Sequence, residues 1–243
     1  SIEPGGNKAT LTLANGKSIA LSNKQSGIVA GSEIRYIDGS IIENTSLDTI
    51  QQLALHTPRG GTYTVKLQDG TEVWLNAQST LKYPSSFNST ERVVELDGEA
   101  YFAVKTIYQK DGTKIPFKVV TKQQVVEVLG TKFNISSYAD QVWNKTTLVE
   151  GKVAISDKYN RLLLLPNDQA VTTNGKTKIK KVDVASYTAW REGKFNFDNK
   201  TFEETMSEIC RWYDLDIKYE NGIPTEELTG DAFRNQNISF VLR

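Results

Sequence analysis

Residues 57–76, TPRGGTYTVKLQDGTEVWLN, alternate polar and apolar side chains on both sides of Asp69-Gly70. A period of two can bury one face only as a strand. An Asp-Gly pair between two such runs predicts a tight hairpin, of the type I′ class in which both central residues take positive φ. The same pattern occurs earlier without a gap: PGGNKATLTLANGKSIAL (4–21) aligns with PRGGTYTVKLQDGTEVWL (58–75). Pro4 falls on Pro58, Leu13 on Leu67, Asn15-Gly16 on Asp69-Gly70, Ile19 on Val73 and Leu21 on Leu75. A looser echo relates IRYIDGS (34–40) to VVELDGEA (93–100). A repeated hairpin limits the chain to folds in which each unit buries its face on its neighbours.

More short strands follow. AYFAVK (100–105) and IPFKVVT (115–121) flank Asp111-Gly112, and QVVEVLG (124–130) runs into TKFNIS (131–136). TTLVEGKVAIS (146–156) reads as two strands about Glu150-Gly151, followed by RLLLLP (161–166) and QAVTT (169–173). This spacing predicts a mainly β fold, with repetitive hairpins in a β-solenoid or sandwich-like arrangement over residues 1–183.

Near residue 185 the pattern changes. VASYTAW (184–190) reads as a short helix or linker, and 184–193 as a hinge between two parts. KFNFD (194–198) is a strand. In NKTFEETMSEICRWYD (199–214), Phe202, Met206, Ile209 and Tyr213 recur at helical spacing. Thr201 and Glu204 form a capping box that starts this helix. LDIKYE (215–220) is expected to return to strand. FRNQNISFVL (233–242) echoes FDNKTFEETM (197–206), so a second β-α-β copy begins at ELTGDAF (227–233), with a helix from Asn237. Residues 194–243 thus read as a small α+β module of β-α-β units whose second half stops before its closing strand.

Composition narrows the function. The 243 residues carry 29 basic and 29 acidic side chains, for a formal net charge of zero. Such a balance does not favour nucleic acid or an anionic membrane, which reward a basic surface. No apolar run reaches the length of a membrane span. The opening SIEPGGNKAT is not a signal peptide, so the chain reads as part of a longer protein. The one cysteine, Cys210, falls on the buried-looking side of a helix, where a thiol acts as a small hydrophobe. The one histidine, His56, reads as part of a linker between the two hairpin copies and has no recognisable partner. One His and one Cys are too few for a His/Cys zinc cluster. Phosphate loops, dinucleotide fingerprints and hydrolase elbows are absent. No catalytic residue, metal or cofactor is assigned, and an enzyme is not expected. Asn88-Ser89-Thr90 and Asn144-Lys145-Thr146 match the glycosylation triplet, which matters only in a eukaryotic secreted protein. Of the four tryptophans, Trp190 and Trp212 are expected to anchor the α/β module, and Trp74 and Trp143 to cap the β-rich part. The alternative use of aromatics is a carbohydrate-binding or adhesin surface built on Trp74, Tyr83 and Trp143. A glycan-active enzyme would need a carboxylate pair in a cleft.

Five segments, 57–84, 92–104, 126–136, 146–155 and 189–217, together resemble the periplasmic part of FecR-type sigma regulators in the form common among Bacteroidetes. The leading 4–22 fits the same pattern. The resemblance implies a three-part anti-sigma factor. A cytoplasmic region holds an extracytoplasmic-function sigma factor, one helix spans the membrane, and a periplasmic region receives a signal. The signal comes from the N-terminal domain of a TonB-dependent outer-membrane transducer. This chain looks like the periplasmic part alone, with no cofactor, and its C-terminal module resembles the small secretin/TonB N-terminal fold. Partner binding is then expected on the open module by strand addition. Asp216, Lys218 and Glu220, alternating with Ile217 and Tyr219, are the candidate contacts, so the site is Asp216, Lys218, Tyr219 and Glu220. A merely solvated face is the competing account of the same pattern.

Overall fold

The structure, a computed structural model, describes residues 2–31, 33–46 and 49–242. Among these residues nineteen strands join in one continuous ladder, and two more form a separate small sheet. The ladder curls into two layers around a single core, so the mainly β expectation holds. The first layer runs, neighbour to neighbour, through Ser18–Ala20, Thr10–Thr12, Gln52–Thr57, Ser79–Pro84, residues 92–97, Phe117–Val120, Val125–Val128, Val153–Ser156 and Arg161–Leu164. The second runs through Ile41–Ser46, Glu33–Tyr36, Gly27–Val29, Gly61–Lys66, Glu72–Leu75, residues 98–103, Lys132–Ser137, Trp143–Glu150, Asp168–Thr173 and Lys176–Lys181. From Phe117 onward the chain visits the layers in pairs of strands, two in one and then two in the other. It is a sandwich that grows along one direction as a solenoid does.

Alternation decides what lies between the layers. Leu53 and Leu55, Tyr63 and Val65, Val94 and Leu96, Ala100 and Phe102, Phe117 and Val119, and Phe133 and Ile135 all enter one buried cluster. The one strand common to both layers is Arg92–Ala103. Its first half pairs with Ser79–Pro84 and Phe117–Val120, and its second half with Glu72–Leu75 and Lys132–Ser137. The change of layer falls at Gly98, whose φ is +108° and whose Cβ would lie 2.4 Å from Ser79 Oγ. Any side chain there meets both a strained backbone and a neighbouring strand.

Four hairpin turns share one construction. Leu67 N–H bonds to Thr71 O (2.8 Å), Gly70 N–H to Leu67 O (2.8 Å), and Thr71 N–H to Asp69 Oδ1 (2.9 Å). The same three bonds recur about Asn15-Gly16, Asp38-Gly39 and Asp111-Gly112. Only the glycine has positive φ, +84° at Gly70, whereas Asp69 does not. The turn is therefore a type I turn closed by a glycine bulge, and the type I′ expectation is corrected. The reason is the Asx side chain, which caps the backbone two residues on and holds its own residue out of the left-handed region. The echo between 34–40 and 93–100 also fails, because Asp97-Gly98 lies inside a continuous strand while Asp38-Gly39 is a turn. His56 is corrected too. It belongs to the strand Gln52–Thr57, where Nδ1 shares a 2.9 Å hydrogen bond with Thr80 Oγ1 across the sheet.

Asp69 has a second role. Its Oδ2 accepts from Arg92 Nη1 at 2.6 Å, and the two side chains are only 6% and 2% exposed. Arg92 also donates to the carbonyls of Lys105 (2.7 Å) and Ile115 (2.8 Å) and lies over the Phe117 ring. One guanidinium thus ties the turn, the end of the long strand and the entry to Phe117–Val120.

In the C-terminal part, Lys194–Asn196 pairs antiparallel with Asp231–Phe233. The helix Phe202–Tyr213 starts on the expected capping box, with Thr201 Oγ1 accepting from Glu204 N–H and Glu204 reaching back to Thr201 N–H. A second helix, Ile238–Val241, starts at Asn237. A separate core gathers Phe195, Ile209, Trp212 and Tyr213, with Phe197, Met206, Leu215, Ala232, Ile238 and Val241 packed on it. The strand expected at 215–220 does not form. Residues 215–219 belong to no ladder, and Ile217 is 40% exposed. Alternation alone does not make a strand; it also needs an edge to pair with, and this stretch pairs with none among the described residues.

Replacing Arg92 with methionine leaves the Asp69 carboxylate buried without its cation. Chemical denaturation of Arg92→Met should show a loss of about 3–5 kcal/mol, the usual cost of breaking a buried pair from one side. A loss below about 1 kcal/mol would mean that the turn holds without it.

Candidate functional site

The four residues expected to bind a partner follow the helix in one exposed run. Asp216, 95% exposed, accepts from Arg59 Nη1 at 2.8 Å. Tyr219 sets its ring edge-on to Phe202, with centroids 6.3 Å apart. Lys218 and Glu220 are exposed. The structure thus brings Asp216 to the β-rich body and Tyr219 to the helix, and leaves Lys218 and Glu220 in solvent. Among the described residues, the backbone N–H and C=O groups of 216–219 make no hydrogen bond with the rest of the chain. Four consecutive residues with solvated, unpaired backbone form a ready template for another strand.

Behind this run the module docks on the body. Asp214 ends the helix in the left-handed conformation (φ +55°), and Leu215 N–H bonds back to Cys210 O. Arg59, in the Pro58–Gly61 corner, reaches Asp214 Oδ1 (3.1 Å), Asp216 Oδ1, the Cys210 carbonyl (3.3 Å) and the Leu215 carbonyl. Beside it, Gly60 N–H bonds to Arg211 O at 2.7 Å. Gly5 lies against Trp212, where a Cβ would come within 2.8 Å of the indole, and a Cβ on Gly60 would come within 3.3 Å of the Trp212 carbonyl. Cys210 is buried in the same joint, which pushes its thiol pKa up. It fills space, as expected.

The rest of the contact combines polar pairs with aromatic rings. Arg211 holds Asp140 through both carboxylate oxygens (2.7 and 2.9 Å) and stacks over Tyr138. Lys145 pairs with Glu204 across the joint, and within the module Lys200 pairs with Glu208 at 2.8 Å. Arg234, buried, donates to Asn76 Oδ1 (2.9 Å) and Trp190 O (3.2 Å) and stacks over Trp212. Trp190 Nε1–H donates to Asn134 Oδ1 at 3.1 Å. Trp190 and Trp212 therefore both stand at the joint. The 184–193 segment is helical over Ala185–Thr188 and Ala189–Glu192 and carries Tyr187 and Trp190 into this contact.

Glu99, on the long strand, lies at the floor of the joint. It accepts from Asn76 Nδ2 (2.8 Å) and Asn134 Nδ2 (2.9 Å). Burial raises its pKa above the usual glutamate value, and the nearby Glu208 carboxylate raises it further. Burial likewise lowers the pKa of Lys145. A cavity of about 50 Å³ is lined by Glu99, Glu208, Lys200, Arg211, Gln141 and Ser186. It has room for ordered water, and the Ser186 hydroxyl has no protein partner.

Among the described residues no group of three His, Cys, Asp or Glu side chains could hold a metal ion. The aromatics named for a sugar surface are separated in fate. Tyr83 is wholly buried, and Trp74 is covered by Tyr101 and Arg191. Trp143 lies beside Lys145. Sequence reasoning did not find Arg59, Glu99 or Arg234. A signal for Arg59 existed in the repeat, where the corner of the first copy has Gly5 and the second has Arg59. Glu99 and Arg234 gave none, since their partners are brought together only by folding.

A two-layered β scaffold that carries a docked α/β module with free backbone is suited to protein contact rather than to chemistry on a small molecule. Comparison with known proteins makes this specific. The family described as "FecR protein" matches residues 54–154, and "FecR, C-terminal" matches 194–243. A 1.65 Å crystal structure of a candidate anti-sigma factor from Parabacteroides distasonis ATCC 8503 is 31% identical. It superposes with a TM-score of 0.70, over 78% of this chain and 88% of that one. A 2.50 Å crystal structure with the same description gives 31% identity and a TM-score of 0.71, over 79% and 88%. Comparison with curated proteins gives no match. The chain belongs to the FecR family, as a FecR-type anti-sigma factor region. No helix among the described residues is long and apolar enough to cross a membrane.

The raised pKa of Glu99 has a testable sign. Between the usual value of 4.5 and the folded value, the native state binds more protons than the unfolded chain, so stability falls as pH rises through that window. Melting temperatures measured from pH 4.5 upward should fall more steeply for the wild type than for Glu99→Gln. Parallel curves would remove Glu99 from the account.

Proposed function

We propose that this chain is the periplasmic signal-receiving region of an anti-sigma factor. It binds the N-terminal signalling domain of a TonB-dependent outer-membrane transducer, and through that contact controls an extracytoplasmic-function sigma factor. The observation that carries this reading is the run Asp216–Tyr219, whose backbone is exposed and unpaired on a module otherwise held to the body. Strand addition uses main-chain groups for affinity and alternate side chains for selection. Here Asp216 and Lys218 offer charges of opposite sign on one face, and Ile217 and Tyr219 offer apolar contact on the other. Family membership supports the regulatory role, and the relative from Parabacteroides distasonis, a candidate anti-sigma factor, supports its direction. The sigma factor itself is held by a cytoplasmic region outside the residues present here.

Calorimetry against transducer N-terminal domains from the same genome tests the reading. Lys218→Pro removes one donor and fixes φ, which a paired strand does not tolerate. It should weaken binding at least tenfold while the melting of the β-rich body stays unchanged. Full affinity in a folded Lys218→Pro variant would place the contact elsewhere.

A further inference from the structure

We propose that Arg59 is a latch: it pins the start of the receiving run to the β body, and its release frees the whole C-terminal module. Three observations lead there. First, the two buried clusters share no residue, so module and body have separate apolar cores, with only single aromatic side chains such as Trp190 and Tyr138 between them. Second, the contact between them is made largely by charged and polar groups: Arg59 to Asp214 and Asp216, Arg211 to Asp140, Lys145 to Glu204, and Arg234 to Asn76. The pairs of Arg59 and Arg211 reach exposed carboxylates and are screened by solvent, and in the more buried Lys145–Glu204 pair desolvation offsets the attraction, so each contributes little net stability. An interface of this kind, with a cavity inside it, opens far more easily than an apolar one. Third, Arg59 stands where the module's two ends of business meet. Its guanidinium engages the helix C-terminus through the Cys210 carbonyl, the left-handed cap through Asp214, and the receiving run through Asp216 and the Leu215 carbonyl.

The last contact couples docking to binding. A strand laid along 215–219 needs the Leu215 carbonyl and a straight Asp216, and Arg59 holds both. Strand addition and the Arg59-held docked arrangement therefore exclude one another. Lysine could not substitute, since a single ammonium cannot span acceptors on three successive elements as a planar guanidinium does. That the incoming strand belongs to a transducer rests on the reading above, whereas the latch does not.

Amide hydrogen exchange on the whole chain is the test. The Gly60 amide bonds across the joint to Arg211 O, whereas the Val65 and Val73 amides lie in the body's Gly61–Lys66 and Glu72–Leu75 pair. In Arg59→Ala, Gly60 should exchange at least tenfold faster with Val65 and Val73 unchanged, and small-angle scattering should show a larger radius of gyration. Arg59→Lys should fall between the two, and it decides the matter if the alanine variant also loosens Val65. Unchanged protection of Gly60 in both variants overturns the latch. A transducer domain that binds the wild type should accelerate Gly60 in the same way, and one that binds while leaving Gly60 protected overturns the coupling. If no transducer domain binds, the receptor reading fails while the exchange result still judges the latch.

Discussion

Residues 92–103 must serve two layers at once, and the rest of the molecule is arranged around that demand. A strand can cross from one sheet to another only if its alternation survives the bend, so that the same face stays inward. Val94 and Leu96 before Gly98, and Ala100 and Phe102 after it, all reach the one core. Glycine at the crossing removes the side chain that would strike Ser79. The two ends of the strand then acquire opposite tasks. At the start, Arg92 buries its charge against Asp69 and fixes a hairpin turn. Near the crossing, Glu99 turns outward through Asn76 and Asn134 and becomes the floor on which the C-terminal module rests.

The two parts are held by different physics. Inside the β body, burial of alternate apolar side chains dominates, a term proportional to the area taken out of water. Between body and module, charge and hydrogen bonding dominate, with aromatic rings laid flat under guanidinium groups. The first kind of contact is hard to open and the second is much easier. A regulator that must change its contacts on receiving a signal is served by this division. The unpaired backbone of 216–219 is the complement of the same logic, because it leaves main-chain groups available outside the stable core.

The hairpin 57–76 illustrates how much of this was legible. Its strands, register and inward residues follow from period two and an Asx-Gly turn, and they stand where alternation placed them. The turn type was misjudged, because an aspartate side chain can cap the backbone and so remove the need for a second positive φ. The helix 202–213 was legible from its spacing and capping box. The strand at 215–220 was not, since alternation reports which side chains share a face but not whether an edge is present to pair with. Likewise His56 sits within a strand whose boundary a linker reading could not see. The site residues Asp216, Lys218, Tyr219 and Glu220 were found as a pattern, but that their backbone is unpaired is a property of the fold.

Local chemistry by itself determined the strand-rich class, the repeated turns, the helix with its cap, and the lone cysteine's role as filler. Each of these depends on residues within a few positions of one another, where dihedral preference and side-chain period act directly. Only the tertiary structure decided that Arg59 meets Asp214 and Asp216, that Arg234 meets Asn76, and that Glu99 lies beneath the module. Those partners lie far apart in the chain, and their meeting is set by how the two layers curl and where the module docks. A charged side chain carries no local mark of whom it will face, because its pairing is decided by the fold that apolar burial builds first.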